Sequence, residues 1–553
     1  MAQQWEKPRD KNRLWGRYPT RKDYPILIPI LLLGTYFRLD GLNEPGLWLD
    51  EVAYTIAAQK PIINQIIKPT ETLGGYLSVD PTLSAIPFSL SLKLGFQNFL
   101  VRLPAALFGI LSIAALYKLG QKMFGNLVGL ISALLLATNQ FHILYSQEAR
   151  SYTQFIFFTI LSFFFLYLII EKNSAKNSYW FLYTLSIWAG VSTNHLMIFT
   201  VGIQFTSLVL IYLNQRFLRG TAHQTETRLV QIMKFFLVSV IVVALFRVPW
   251  LSDFTDRQCA GCDIGDPSTS LIVFPYLIST FQAFTNSTSM ISFMVIALYV
   301  LGLILIGYYS KEVAILLVSW SLFAIVATIV GLWFISQFFQ PRYTLWALPA
   351  IFLVVAYTLV SIGILVGKAL KQQAPSLFIE RTQITVIALL VVPIIGFSLY
   401  QTQFNAVNKQ LWPIGQLQEV TNKIVTEANS QDVVINFGMP ALYLQYYVEQ
   451  ARQDLLYLDA NNFQQAPALL PESATVWYVI HIDPPFNAPT VKDSLLEYET
   501  FNDLMVVKIS EECQLVDCIN DTKILLLDIA NANPNSRFTT RINGALSALS
   551  TLQ

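Results

Sequence analysis

The chain has few charged residues and few cysteines, and each scarcity excludes a class of protein. Only 13% of its 553 residues are Asp, Glu, Lys or Arg, against about 25% in a typical soluble domain. The four cysteines are too few for a disulfide-rich secreted scaffold. The net charge is +1, and the basic residues are spread between apolar segments. This pattern lacks the basic face of a nucleic-acid-binding protein, so we expect no nucleic-acid partner.

The sequence also lacks a Gly-rich phosphate loop, zinc-finger spacing, tandem repeats and low-complexity tracts. It has long apolar segments instead. Hydrophobic residues make up 54% of the chain and the mean hydropathy is +0.49, which indicates a polytopic α-helical membrane protein. A spanning helix needs about 20 mostly apolar residues, and we predict about 11 spans, within a range of roughly 10 to 13. The predicted spans are 24–38, 102–120, 125–144, 151–170, 179–194, 195–213, 231–251, 289–309, 313–336, 343–366 and 383–400.

Lys and Arg in the loops predict the orientation of these spans. Residues 1–23 contain seven of them, so the positive-inside rule predicts a cytoplasmic N-terminal tail. Alternation from there places residues 24–400 in the membrane, with an outer loop over 39–101, and places residues 401–553 outside. We therefore predict an integral membrane protein, with the bacterial inner or plasma membrane as the favoured location. Two interrupted apolar stretches, 82–98 and 271–285, are interpreted as interfacial or re-entrant helices.

Residues 401–553 have a pattern that differs from the rest. The stretches "LQEVTNKIVTEA" and "VKDSLLEY" have helical spacing, whereas "DVVINF", "TVWYVIHI" and "LMVVKIS" are typical of strands. This alternation predicts a soluble extracytoplasmic α/β domain. The cysteines form two close pairs, Cys259/Cys262 and Cys513/Cys518. Outside the cytoplasm a disulfide is permitted, and we prefer that interpretation to a metal clip.

Few acidic residues lie inside the predicted spans, and this counts against an ion-coupled transporter, which usually buries ionisable groups near the midplane. Three predicted outer segments carry ionisable groups beside aromatics instead: "GLWLDEVAY", "YSQEARSY" and "QPRYTLW". An isolated acidic pair would be read as the first turn of a helix, where carboxylates are favoured. The candidate residues of the three segments are Asp50 and Glu51, Glu148 and Arg150, and Arg342 and Tyr343.

In this order, the three segments resemble the GT-C glycosyltransferases. The most similar branch contains the protein O-mannosyltransferases and the aminoarabinose transferase of lipid A. The resemblance implies a membrane enzyme that takes a sugar from a polyprenyl phosphate donor on the extracytoplasmic side. It implies transfer with inversion to a hydroxyl of a lipid, protein or glycan. The expected partners are this donor, the extracytoplasmic acceptor and the bilayer.

The resemblance also implies roles for the acidic residues. Asp50 matches the catalytic aspartate of the family, a general base that deprotonates the acceptor hydroxyl. Glu51 would orient Asp50 or contact the acceptor. Glu148 takes the place of a second acidic site that is often Asp. Its role, as a partner of the base or as a metal ligand, stays open.

The departing lipid phosphate gains negative charge, which an arginine fork can stabilise. Arg342 is the first candidate for this role and Arg150 the second, with Tyr343 beside them. Trp48, Tyr54 and His195 are candidates for the substrate pocket. No cofactor is required, although a divalent metal is compatible with the site. Its candidate ligands are Asp50, Glu148 and His195.

Two interpretations compete with these roles. A lone histidine at a helix turn, such as His195, is more often a hydrogen-bonded structural residue than a ligand. Arg38 lies at the end of the first predicted span, and we interpret it as reaching towards lipid headgroups.

Two other functions stay open from the sequence. The first is transfer of a larger lipid-linked glycan, as in an oligosaccharyltransferase or a ligase. The second is a transporter or receptor without enzymatic activity that uses the external domain for binding.

Overall fold

The protein is described here by a computed structural model. The described residues are 24–43, 46–47, 49–59, 84–95, 98–171, 177–218, 223–247, 273–285, 290–335, 339–373, 385, 387–389, 391–397, 400, 414–430, 432–437, 444, 448, 452, 454–459, 476–481, 496–501, 504–509 and 527. The chain divides into two compact units. The first comprises residues 1–43 and 54–406, and the second comprises residues 44–53 and 407–553.

Helices account for nearly all of the described secondary structure before residue 400. Short π-helical turns at Asn214–Leu218 and Ser319–Phe323 and a 3₁₀ helix at Pro341–Ala347 interrupt or join them. The α-helices are α1 Tyr24–Leu39, α2 Leu49–Gln59, α3 Ile86–Leu92, α4 Asn98–Phe124, α5 Asn126–Thr138, α6 Gln140–Ser146, α7 Tyr152–Glu171, α8 Asn177–Val191, α9 Met197–Leu213, α10 His223–Arg247, α11 Val273–Thr285, α12 Met290–Tyr309, α13 Lys311–Val318, α14 Ala324–Ile335 and α15 Leu348–Gln373.

Six helical stretches in the described part of the chain are long and apolar enough to cross a membrane, and a seventh is possible if one bent pair counts as a single span. The protein is therefore an integral membrane protein. The bent pair is α5 with α6, at an angle of 62°. The six stretches are Asn98–Phe124, Tyr152–Glu171, Met197–Phe217, Ile291–Tyr309, Lys311–Trp333 and Pro341–Val366.

The predicted apolar segments overlap helices, and four of them lie partly outside the described residues: 231–251, 289–309, 313–336 and 383–400. The predicted number of about 11 spans stays a prediction, as does the sidedness. Some of the helices are short: the apolar parts of α1 and α10 extend only over Ile26–Leu39 and Leu229–Leu245. The stretches 82–98 and 271–285 contain α3 and α11, and their position at the interface likewise stays a prediction.

The bend between α5 and α6 differs from the single straight span predicted over 125–144, and Asn139 explains it. Its backbone is extended, with φ −70° and ψ 120°, and its side-chain oxygen accepts a hydrogen bond from the His142 amide at 2.9 Å. Asn139 is thus the N-cap of α6. Its amide group also donates to the Phe284 carbonyl at 2.7 Å, which ties the bend to α11.

Glycines allow α4 and α5 to pack closely. A Cβ added to Gly120 would lie 2.9 Å from the Gly129 Cα. A Cβ added to Gly129 would lie 2.7 Å from the Tyr117 carbonyl oxygen. Small residues at such crossings let helix backbones approach within van der Waals contact in a membrane.

Aromatic packing joins α7 to the 3₁₀ helix that precedes α15. The rings of Phe163 and Trp320 are stacked with centroids 4.1 Å apart and planes 7° apart. The indole nitrogen of Trp320 donates to the Trp346 carbonyl at 2.9 Å. This bond holds the 3₁₀ helix, which carries Arg342, against the core of the bundle.

The described part of the second unit after residue 407 contains α16 Ile414–Glu427 and a five-stranded sheet with the order β2-β1-β3-β5-β4. Strand β1 pairs in parallel with β2 and β3, and β5 pairs in antiparallel fashion with β3 and β4. The strands are β1 Val433–Phe437, β2 Leu456–Asp459, β3 Val476–His481, β4 Leu496–Phe501 and β5 Leu504–Ile509.

Strands β1, β2, β3 and β5 lie where the sequence predicts strands, β2 within the strand-like stretch "DLLYLD". The helix predicted over "VKDSLLEY" is wrong at its end. Residues 496–501 form β4, because they pair with β5 in a hairpin that places Phe501 opposite Leu504. The four cysteines lie outside the described residues, so their pairing stays a prediction.

Candidate active site

The loop Gln147–Ser151, between α6 and α7, carries Glu148 and Arg150, and it is anchored at both ends. The Gln147 amide donates to the Phe37 carbonyl at 3.0 Å and to the Asp40 carbonyl at 2.7 Å. At the other end, the Asn194 amide donates to the Ser151 hydroxyl at 3.0 Å. The loop is therefore tied to the end of α1 and to the turn before α9, which restricts where its charged side chains can lie.

Arg38 lies beside the bend between α5 and α6, and its predicted position at the lipid headgroups is wrong. The side chain is fully buried. Its guanidinium donates to the carbonyls of Gly34 at 2.9 Å, Ala137 at 3.0 Å and Leu136 at 3.0 Å. The last carbonyls of a helix have no partner within it, and Arg38 caps those of α5. The side chain turns inward because the bend after α5 presents these acceptors.

The fourth bond of Arg38 determines the protonation of His142. Arg38 Nη2 lies 2.8 Å from His142 Nδ1, and a guanidinium can only donate. Nδ1 must therefore accept, so His142 is neutral and carries its proton on Nε2. Gly109 makes room for this arrangement, since a Cβ there would lie 3.0 Å from Arg38 Nε and would collide with the Ser146 side chain.

Arg150 lies between two tyrosine rings. Its guanidinium carbon is 5.0 Å from the ring centroid of Tyr54 and 5.6 Å from that of Tyr152. Its backbone amide donates to the Glu148 carbonyl at 2.7 Å. Cation–π contacts at these distances orient a guanidinium, so both aromatic faces hold the charge in place.

Arg342 comes from the 3₁₀ helix and joins the same group of side chains. Its guanidinium carbon is 5.5 Å from the ring centroid of Tyr343, and its charge interacts with that of Arg150. Both arginines interact electrostatically with Tyr152, and Glu148 and Arg342 both do so with Tyr145. We call this group the arginine cluster, and its members are Tyr145, Glu148, Arg150, Tyr152, Arg342 and Tyr343.

The structure thus brings together four of the predicted site residues, Glu148, Arg150, Arg342 and Tyr343, and places Tyr54 against Arg150. Arg150 and Arg342 are nearly 200 residues apart in the chain, so only folding brings these two positive charges together. The prediction missed Tyr145 and Tyr152. The signal for them was present in "YSQEARSY", where the two tyrosines flank the ionisable pair.

Asp50 and Glu51 lie in the first turn of α2. Glu51 is fully buried and Asp50 is half-buried. This position agrees with the preference of carboxylates for a helix N-terminus. A helix start and a catalytic role are compatible. Trp48 lies outside the described residues.

His195 lies half-buried in the turn between α8 and α9, where its carbonyl accepts a hydrogen bond from the Ile198 amide at 3.1 Å. No group of three or more His, Cys, Asp or Glu side chains suited to a metal ion occurs among the residues that the structure describes. The arginine cluster supplies positive charge and aromatic faces to a ligand. These suit an anionic group with an apolar tail.

Comparisons with known proteins point to a fold. Residues 80–251 match the family model of dolichyl-phosphate-mannose-protein mannosyltransferases. ArnT from Cupriavidus metallidurans in the apo state is structurally similar, with a TM-score of 0.60 at 13% sequence identity, covering 88% of this chain and 98% of that one. The same protein bound to undecaprenyl phosphate gives 0.58 at 13% identity, with the same coverage.

The archaeal oligosaccharyltransferase AglB from Archaeoglobus fulgidus is also similar. Its complex with an inhibitory peptide and a dolichol-phosphate gives a TM-score of 0.53 at 10% identity, covering 84% of this chain and 70% of that one. No curated protein matches the chain significantly by sequence.

Together these findings define the class: the chain is a polytopic membrane protein whose fold is similar to that of ArnT and AglB. They also confirm the predicted resemblance to the branch of the protein O-mannosyltransferases and ArnT.

Proposed function

We propose that the protein is an inverting GT-C glycosyltransferase that moves a sugar from a polyprenyl phosphate donor to an extracytoplasmic hydroxyl. The observation that carries this proposal is the arginine cluster, which joins Arg150 and Arg342 from distant parts of the chain. The relatives support the choice of donor, because ArnT is known with undecaprenyl phosphate and AglB with a dolichol-phosphate.

The cluster suits the phosphate of such a donor. When the bond from the sugar to the phosphate breaks, the leaving phosphate gains negative charge. Guanidinium groups stabilise that charge through charge-assisted hydrogen bonds, which are stronger away from water. Arg150 and Arg342 fill this role, and the ring of Tyr343 orients Arg342. The half-buried position of both arginines leaves them within reach of a lipid phosphate.

The remaining roles rest on the resemblance of the first outer segment. Asp50 acts as the general base that takes the proton of the acceptor hydroxyl while the anomeric carbon is attacked. Glu51 orients Asp50 or contacts the acceptor, and Glu148 takes the place of the second acidic site of the family. Trp48, Tyr54 and His195 are assigned to the substrate pocket. No step of this scheme requires a metal.

Two substitutions test the proposal. Asp50→Asn should abolish sugar transfer while the melting temperature of the purified protein stays within about 2 °C of the wild type, since isosteric changes at partly exposed sites cost little. Arg342→Ala should raise the KM for a polyprenyl-phosphate sugar about 10- to 100-fold, the loss expected for a charge-assisted contact.

Arg216→Ala is the matched control. Arg216 also lies over an aromatic ring, that of Tyr212 at 5.9 Å, but it is outside the arginine cluster. Its removal should leave the donor KM unchanged. Wild-type turnover by Asp50→Asn would remove Asp50 as the base, and an unchanged donor KM in Arg342→Ala would remove Arg342 from the phosphate site.

The similarity to AglB favours one second candidate, transfer of an oligosaccharide from a lipid carrier. Donors that differ only in glycan length separate the two functions. A monosaccharide-specific transferase uses the single-sugar donor and loses activity as the glycan grows, whereas the alternative shows the opposite order. The sidedness has its own test, since a tag at residue 450 that is reached only from the cytoplasm would contradict the proposed topology.

A further inference from the structure

Tyr152 is the most deeply buried member of the arginine cluster. It begins α7 and is 3% exposed, whereas Arg150 and Arg342 are half-buried. Its phenol hydroxyl has no hydrogen-bond partner among the described residues. Buried tyrosine hydroxyls nearly always have one, so this hydroxyl calls for an explanation.

The surroundings of Tyr152 point to a ligand. The ring packs edge-to-face on Tyr145, with centroids 5.2 Å apart and planes 71° apart, which restricts the orientation of the ring. The guanidinium carbon of Arg150 lies 5.6 Å from the Tyr152 ring centroid, and the charges of Arg150 and Arg342 both act on the phenol. A hydroxyl beside two cations cannot donate to them, since a guanidinium has no acceptor. An anionic oxygen bound beside these arginines would be an acceptor for its proton.

We infer that the Tyr152 hydroxyl is a third donor to the phosphate of the lipid-linked sugar, beside Arg150 and Arg342. This inference rests on the proposed function and adds one binding residue to it. A hydrogen bond from a hydroxyl to an anionic oxygen is short and about twice as strong as a neutral one. The hydroxyl is already removed from water, so it loses little further hydration when the phosphate binds.

The test uses Tyr152→Phe in the full-length protein, which keeps the ring and removes only the hydroxyl. The probes are undecaprenyl phosphate and undecaprenol, which share the same tail and differ in the phosphate. We expect the variant to bind undecaprenyl phosphate about 10- to 100-fold more weakly than the wild type does. Its affinity for undecaprenol should be unchanged. Without lipid its melting temperature should equal or exceed that of the wild type, because an unsatisfied buried group has been removed.

Tyr183→Phe is the matched control for the loss of a buried tyrosine hydroxyl. Tyr183, in α8, is fully buried, and its hydroxyl donates to the Gln204 side-chain oxygen at 2.7 Å. Removing this hydroxyl leaves a buried acceptor without a partner, so the melting temperature should fall. The affinity for undecaprenyl phosphate should not change, because Tyr183 is outside the cluster.

The outcomes separate this inference from the proposed function. A wild-type protein that binds undecaprenyl phosphate no better than undecaprenol overturns both. If the wild type prefers the phosphate and Arg342→Ala weakens binding, but Tyr152→Phe binds as the wild type does, only the assignment of Tyr152 fails. A melting temperature of Tyr152→Phe that falls as far as that of Tyr183→Phe would show that the hydroxyl has a structural partner, and would also overturn the assignment.

Discussion

Replacing Arg38 with methionine tests how the bend beside the candidate site is held. Methionine fills much of the same volume but donates no hydrogen bond. The carbonyls of Leu136 and Ala137, at the end of α5, then lose the donors that reach them at 3.0 Å. The Gly34 carbonyl is less affected, since it lies four residues before Arg38 within α1 and keeps its helical partner.

The magnitude follows from these two carbonyls. Each buried acceptor that loses its partner costs about 1–3 kcal/mol, or about 2–6 kcal/mol for the pair. Removing the buried guanidinium offsets part of this loss in stability, because burying a charge away from water is itself destabilising. We therefore expect the free energy of unfolding to fall by about 2–4 kcal/mol. Arg38→Lys should lose less, since its ammonium group still donates but cannot reach both carbonyls as a planar fork does.

The measurement is unfolding by SDS in mixed micelles, followed by tryptophan fluorescence. The midpoints should rank wild type, then Arg38→Lys, then Arg38→Met. Arg216→Met is the control, because Arg216 is outside the core of the bundle and surface changes usually stay within about 0.5 kcal/mol. Equal midpoints for Arg38→Met and the wild type would show that the α5 carbonyls are not stabilised by Arg38, and the explanation of the bend would fail.

Three further substitutions test the packing of the bundle. Gly120→Ala should destabilise the protein by about 1–3 kcal/mol, because its Cβ would meet the Gly129 backbone at 2.9 Å. Gly202 has open space around it, so Gly202→Ala should stabilise the protein by about 0.5–1 kcal/mol. The melting temperatures of the two variants check both predictions, and equal values would contradict the close contact between α4 and α5. Trp320→Phe should lower the free energy of unfolding by about 1–3 kcal/mol, since the Trp346 carbonyl loses the indole donor that lies 2.9 Å from it. An unchanged midpoint of SDS unfolding would show that this hydrogen bond does not stabilise the 3₁₀ helix.

The membrane class and the positions of the helices could be predicted from the sequence, because the length and apolarity of a spanning segment are local properties. The three segments that carry Asp50, Glu148 and Arg342 could be recognised for the same reason, since each is a short run of residue types. The alternation of the spans predicts that Glu148, Arg150 and Arg342 lie at one membrane surface, but it does not predict that they share one cluster. The contacts in that cluster then follow from the folded chain.

Other features depend on contacts between residues far apart in the chain, and no local pattern predicts them. Arg38 resembles an arginine at a helix end in any membrane protein, and it is buried because α5, nearly 100 residues later, ends in carbonyls beside it. Residues 491–498 have helical spacing, but pairing with β5 makes the last three of them part of a strand. Tyr152 is an ordinary tyrosine in the sequence. Only the folded chain shows that its hydroxyl has no hydrogen-bond partner among the described residues, because hydrogen-bond satisfaction depends on the neighbours that folding brings together and not on the residue alone.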